Sequence, residues 1–220
     1  MTMRFDAIIF DCDGVLIDSE VAVNRAIAET LTALGLPTTL DQAIADFTGH
    51  SSEETDRLIA ARWGRPIPDR FRTMVRDAVM GGHDAIPMVH GADVFIAALP
   101  PSPRAVASSS STQWIKGHLD RLGLAPYFNG HLYSGREHVS RTKPAPDIYL
   151  HAAAAIGADP GKTVVIEDSP TGVIAAVAAG MTVIGLCAGR HCRPGLDARL
   201  REAGAHHVAA SYAEVSAFLA

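Results

Sequence analysis

Five short apolar runs, Phe5 to Phe10, Arg104 to Ala107, Thr163 to Ile166, Thr182 to Leu186 and His207 to Ala209, are spread along the chain and separated by helix-like segments. A strand covered on both faces is continuously apolar rather than alternating, and such strands belong to parallel sheets sandwiched between helices. Helices fit the intervals Ala92 to Leu99, Thr112 to Leu122, Pro146 to Ile156 and Pro170 to Ala179. The last is stopped by Gly180, at the place where a left-handed residue ends a helix. The alternation predicts an α/β fold built on a doubly wound, Rossmann-like parallel sheet. The alanine-rich stretches Ala152 to Ala155 and Ala175 to Ala179 suit helices packed close against that sheet.

One interval breaks the rhythm. From about Ile17 to Ile86 nothing strand-like appears, while Val23, Ile27, Thr30, Leu31 and Leu34 share one helical face. A second helix is expected to open at Ser51, with Glu54 completing a capping box, and to run through Leu58 and Ile59. A third is expected from Asp69 to Met80. A crossover between parallel strands needs only one helix. The interval therefore reads as a helical domain, residues 17–86, inserted into a core made of residues 1–16 and 87–220.

The chain of 220 residues is 48% hydrophobic and 20% charged, enough apolar material to bury a core. Its net charge of −5, with no long run of either sign, supplies no basic footprint for a nucleic acid or an anionic bilayer. No apolar stretch approaches the roughly 18 residues of a spanning helix. A cytoplasmic location is expected, without nucleic-acid or membrane partners. Cys12, Cys187 and Cys192 are an odd number without a CxxC spacing, consistent with a reducing compartment. His191-Cys192 and His206-His207 lack a second set of ligands and make a poor metal motif. With no heptad pattern in view, a monomer is expected.

The chemistry lies at the ends of the apolar runs. Asp11-Cys12-Asp13-Gly14 follows the first run directly, at the carboxyl end of a strand, where open α/β sheets bind ligands. Gly14 permits a sharp turn there. Glu167-Asp168 follows the run Thr163 to Ile166 and brings more acid to the same sheet edge. Clustered carboxylates are costly unless neutralised, and Mg2+ takes one or two of them together with phosphate oxygens and water. Singly, each acidic pair also reads as a helix cap or loop carboxylate. Ser108-Ser109-Ser110-Ser111 ends another strand, where hydroxyls and backbone N–H groups can hold phosphate oxygens, and Lys143 adds a positive charge that offsets the phosphate's negative charge.

The four motifs in order, Phe10-Asp11-Cys12-Asp13-Gly14-Val15, Ser108, Lys143-Pro144-Ala145-Pro146-Asp147 and Ile166-Glu167-Asp168-Ser169-Pro170-Thr171-Gly172, resemble the haloacid dehalogenase superfamily of aspartate-nucleophile phosphotransferases. The resemblance spans nearly the whole chain. The inserted helices look like the helical cap shared by β-phosphoglucomutase and phosphoglycolate phosphatase. The resemblance implies an Mg2+-dependent phosphatase acting on a small phosphorylated metabolite, a sugar phosphate or phospho-acid. Asp11 would attack phosphorus and form an aspartyl phosphate. Asp13 would protonate the leaving alkoxide and then activate water. Mg2+ would be held by Asp11, the Asp13 carbonyl and Asp168, with Glu167 bound directly or through water. Gly14, Ser108, Ser109 and Lys143 would hold the phosphate. Glu20, Asn24, His50 and Ser110 are the candidate substrate readers.

Rival activities leave different residues. Dehalogenases of this fold lack the second aspartate that Asp13 provides. Phosphomutases carry basic residues in the cap loop, whereas Thr48-Gly49-His50-Ser51-Ser52 has no Lys or Arg, so hydrolysis is favoured over phosphomutase activity. A non-enzymatic phospho-aspartate switch would be shorter and would lack the insertion. Arg136 and Arg141 read first as solvated surface arginines, and second as attractors of an acidic substrate.

Overall fold

The apolar runs of the core become strands, and the crossovers between them fix where the acidic motifs meet. The computed structural model describes residues 4–48, 52–81 and 86–220. Among these residues the strands are β1 (Ala7–Phe10), β2 (Arg104–Ser108), β3 (Leu132–Ser134), β4 (Thr163–Glu167), β5 (Thr182–Leu186) and β6 (His207–Ala209). They pair in parallel in the order β3-β2-β1-β4-β5-β6. The chain winds outward from β1 to β3, then returns to β4 on the other side of β1. The reversal lies between β1 and β4, the place where the connections diverge and open a ligand crevice at the carboxyl ends of the strands.

Helices α5 (Ala92–Ala98), α6 (Thr112–Arg121), α7 (Asp147–Ala155), α8 (Pro170–Ala178), α9 (Leu196–Glu202) and α10 (Tyr212–Leu219) complete this unit. The sheet presents small and branched residues to them. Ile9, Ala105, Ala107, Val165 and Val183 pack with Ile148, Ala152, Ala153, Val173, Ala175 and Ala176 of α7 and α8 in one buried cluster. The expected alanine-rich helices are thus the ones laid on the sheet. Phe10, whose side chain leaves β1 opposite to that of Ile9, meets Phe95 and Phe128 edge to face, with ring centroids 6.2 and 5.7 Å apart.

The chain divides into two compact units, Met1–Ile17 with Met88–Ala220, and Asp18–Pro87. The second is helical: α1 (Glu20–Ala33), α2 (Leu40–Phe47), α3 (Ser52–Trp63) and α4 (Arg70–Gly81). Helix α1 packs on α2 and α4. Three helices were expected in this interval, and α2 is an addition. It opens with a capping box, in which Thr39 Oγ1 accepts from the Gln42 N–H at 3.2 Å and Gln42 Oε1 accepts from the Thr39 N–H at 2.9 Å. The box expected at Ser51 lies outside the described residues, and α3 begins one residue later.

Phe10 is inaccessible to solvent at the end of the central strand, so truncating it empties a site that the flanking strands cannot close over. Phe10→Ala is expected to lose about 3–5 kcal/mol of stability, read as a lowered urea midpoint for loss of the near-ultraviolet circular dichroism signal.

Candidate active site

The register of β1 against β4 sets Phe10 beside Ile166, and the Asp11 N–H donates to the Ile166 carbonyl at 2.9 Å. Asp11 and Glu167 therefore emerge side by side at the switch point. Lys143, in the loop before α7, lies between them: its ammonium donates to Asp11 Oδ1 and to Glu167 Oε1, both at 2.7 Å. All three side chains are buried. Tyr149 on α7 donates its hydroxyl to the same Glu167 oxygen at 3.0 Å, and the lysine nitrogen stands 4.8 Å from the Tyr149 ring centroid.

The other Glu167 oxygen accepts from the N–H and the hydroxyl of Ser169, at 2.8 and 2.9 Å. Ser169 is also the N-cap of α8, its hydroxyl oxygen accepting from Gly172 N–H at 3.1 Å. Gly172 is needed here, since a Cβ on it would stand 1.5 Å from Glu167 Oε1. Asp168, next along, accepts from His191 Nε2 at 3.0 Å through Oδ2. Gly14 makes room for this pair: it has φ +77°, and a Cβ on it would fall 1.8 Å from Asp168 Oδ2. Its N–H donates to the Ile17 carbonyl at 2.7 Å, closing the tight turn after Asp13.

Asp13 points to the other side of the site, toward the end of β2. It accepts from Ser110 Oγ at 2.6 Å, from Ser108 Oγ at 3.4 Å, and from the indole Nε1 of Trp114 at 3.0 Å. Ser108 Oγ in turn accepts from the Ser110 N–H at 3.0 Å.

Negative charge exceeds positive charge in this pocket, and the titration shifts follow. Burial pushes the Asp11 carboxyl well up; Lys143 opposes, while Glu167, Asp168 and Asp13 add to the rise. Burial also raises Asp168, against the bond from His191. Burial works against the Lys143 ammonium, yet Asp11 and Glu167 outweigh it and hold its pKa well above the ordinary lysine value. Asp11 and Asp168 are raised first by burial and further by neighbouring carboxylates, which a cation would offset; ligand oxygens of Asp11, Glu167 and Asp168 lie within 4.8 Å of one another. An all-oxygen set with this charge fits Mg2+.

Sequence-expected residues are thus brought together in the core unit: Asp11, Asp13, Ser108, Ser110, Lys143, Glu167 and Asp168. Ser109 lies between the two serines that face Asp13 and is exposed. Glu20 and Asn24 lie on α1 of the helical unit, where Asn24 Nδ2 donates to the Glu20 carbonyl at 2.8 Å and to Thr48 Oγ1 at 3.1 Å. His50 lies outside the described residues. Arg141 grips Asp147 through two bonds of 3.0 and 2.9 Å. Sequence reasoning passed over Trp114, Tyr149 and His191. In the sequence His191 reads only as half of a poor metal motif, and nothing local to Trp114 or Tyr149 marks them.

Known proteins resemble this chain in sequence and in fold. The family model described as haloacid dehalogenase-like hydrolase matches residues 5–180. The 6-phosphogluconate phosphatase of Escherichia coli is 27% identical over 193 residues, covering 87% of this chain and 86% of its own. The fructose-1-phosphate phosphatase of the same organism is 31% identical, covering 84% of this chain and 97% of its own. A haloacid dehalogenase-like protein of Agrobacterium tumefaciens superposes with a TM-score of 0.88 at 33% identity, covering 97% of each chain.

Removing one partner of a buried ion pair leaves the other charge uncompensated, which costs far more than the pair itself contributes. Lys143→Met keeps most of the apolar stem and removes the charge. It is expected to destabilise the protein by about 3–5 kcal/mol, measured by urea unfolding, whereas a change within 1 kcal/mol would mean that the carboxylates do not depend on the lysine.

Proposed function

The chain belongs to the haloacid dehalogenase-like hydrolases, and on that premise we propose that it is an Mg2+-dependent phosphatase of small phosphorylated metabolites, working through an aspartyl phosphate on Asp11. The observation that carries this reading is the pairing of Asp11 with Lys143 at the switch point, next to Asp168 and opposite Asp13. Phosphatase-named relatives that span most of the chain support hydrolysis as the overall reaction.

In this reading Asp11 Oδ1 stays on Lys143, which favours the ionised form and orients the carboxylate, and the other Asp11 oxygen attacks phosphorus. Asp11, Asp168 and the Asp13 carbonyl would hold Mg2+, with Glu167 completing the acidic wall. When bound, the ion neutralises charge on the phosphoryl oxygens and on the carboxylates around them. Ser108, Ser109 and Lys143 steer the phosphate toward Asp11. Asp13 gives a proton to the departing alkoxide, then takes one from the water that attacks the phosphoaspartate. In phosphoryl transfer the protein mainly positions groups and offsets charge, which is what a buried lysine and a fixed acidic cluster provide.

Helices α1 to α4 act, in this proposal, as a cap that selects the substrate, with Glu20, Asn24 and His50 among the readers. The named relatives act on phosphorylated sugars and sugar acids, and that is the substrate class proposed here.

Two assays test the reading. Purified enzyme is expected to release phosphate from at least one member of a panel containing 6-phosphogluconate, fructose 1-phosphate and hexitol phosphates, and to lose this on chelation and regain it with Mg2+. Asp11→Asn is expected to lower turnover by roughly 10^4-fold or more while leaving the fold intact, because the attacking oxygen is gone. Turnover by Asp11→Asn within tenfold of the unaltered protein would remove Asp11 from the chemistry.

A further inference from the structure

The two oxygens of Asp13 meet donors of different kinds. Oδ2 accepts from two hydroxyls, Ser110 Oγ at 2.6 Å and Ser108 Oγ at 3.4 Å, whereas Oδ1 accepts from the indole N–H of Trp114 at 3.0 Å. A serine hydroxyl rotates and can accept as well as donate. An indole N–H only donates, and it moves only with its ring.

The backbone of Trp114 is tied to the start of α6, and its ring is held between Asp13 and His118. Its backbone N–H donates to Ser111 Oγ, the N-cap of α6, at 3.2 Å, so the residue is tied to the start of the helix. Its indole lies against the ring of His118 one turn further on, with centroids 4.0 Å apart, and His118 Nδ1 meets the Trp114 carbonyl at 3.0 Å. His118 is itself buried. The N–H aimed at Asp13 is therefore set by the start of α6 and by the His118 ring.

We propose that Trp114 is a positioning residue for Asp13, holding Oδ1 so that Oδ2 is the oxygen that carries the proton. The inference rests on the role given to Asp13 above and adds to it which oxygen works. A proton on Oδ1 would face the indole hydrogen, a donor against a donor, so the neutral acid keeps its proton on Oδ2. There the Ser110 hydroxyl can turn to accept it or yield to the substrate. In the first step an Asp11 oxygen bonds to phosphorus, the bond from phosphorus to the ester oxygen breaks, and that oxygen takes the proton from Oδ2. In the second, water bonds to phosphorus and passes a proton to Oδ2, and the bond from Asp11 to phosphorus breaks. The proton lost in the first step is recovered in the second.

Trp114→Phe keeps an aromatic ring against His118 and removes the N–H. Single-turnover release of the alcohol, with enzyme in excess, isolates the first step. For whichever primary alkyl phosphate of the panel is turned over fastest, release is expected to slow by roughly 10- to 100-fold; for p-nitrophenyl phosphate, whose leaving group departs without a proton, the slowing is expected to stay below about threefold. Equal slowing on both substrates, or on neither, would overturn the role of Trp114. Asp13→Asn measured alongside separates the two ideas. If it also fails to discriminate between the leaving groups, the acid role of Asp13 falls; if it discriminates and Trp114→Phe does not, only the role of Trp114 falls. Should Trp114→Phe fail to fold, the chain's only other tryptophan, Trp63, can be changed to Phe and Trp114 replaced biosynthetically by benzothienylalanine. That ring has the shape of indole without the N–H, and the same pair of rates decides the question.

Discussion

An ammonium group buried between two carboxylates from neighbouring strands organises this protein. Lys143 reaches Asp11 at the end of β1 and Glu167 at the end of β4 with equal distances of 2.7 Å, so the two central strands are joined ionically just beyond their last ladder bonds. Both oxygens of Glu167 are engaged, one by Lys143 and Tyr149 and the other by Ser169. It therefore works as the anchor that fixes the lysine, and the lysine fixes Asp11. Ser169 extends the same chain of contacts into the first turn of α8, so the helix covering the sheet and the acid at the strand end are positioned by one residue.

The fold gathers this arrangement at the carboxyl ends of the strands, and its electrostatics favour a cationic partner. Burial and mutual repulsion raise Asp11 and Asp168, and one lysine does not cancel the charge gathered there. Such a pocket is relieved by a divalent cation, and the cation in turn makes an acidic cluster hospitable to an anionic phosphate. The net charge of −5 is thus no obstacle to a phosphorylated substrate, because the charge that matters is the local one. Asp13 faces the end of β2 instead, where it accepts from the Ser108 and Ser110 hydroxyls and from the Trp114 indole.

Much of this was readable along the chain because it is carried by local patterns. Strands β5 and β6 fall on Thr182–Leu186 and His207–Ala209 as expected, and β4 runs one residue further than its apolar run, to Glu167. The edge strand β3 escaped notice because Leu132–Ser134 is too short to show a pattern. Helix α2 is only eight residues long, too short for its apolar period to stand out, and the capping box of Thr39 and Gln42 is its clearest local signal. The acids and Lys143 were visible because they sit in loops directly after strands, where side chains serve chemistry more often than packing. Trp114, Tyr149 and His191 were not, because each comes from a helix or loop far along the chain and acquires its meaning only through a partner more than a dozen residues away, as Trp114 does with Asp13. Nothing in a local pattern encodes such a pairing.

The claim on which the account turns is that the phosphoryl group passes through the side chain of Asp11. Borohydride reduces an acyl phosphate to an alcohol and leaves free carboxylates alone, so enzyme quenched with borohydride during turnover of a panel substrate would carry homoserine wherever the phosphate had been. The account predicts homoserine at position 11 by peptide mass spectrometry, with Asp13 and Asp168 unchanged. An unmodified Asp11 in enzyme quenched during steady turnover, or modification at another carboxylate, would contradict it.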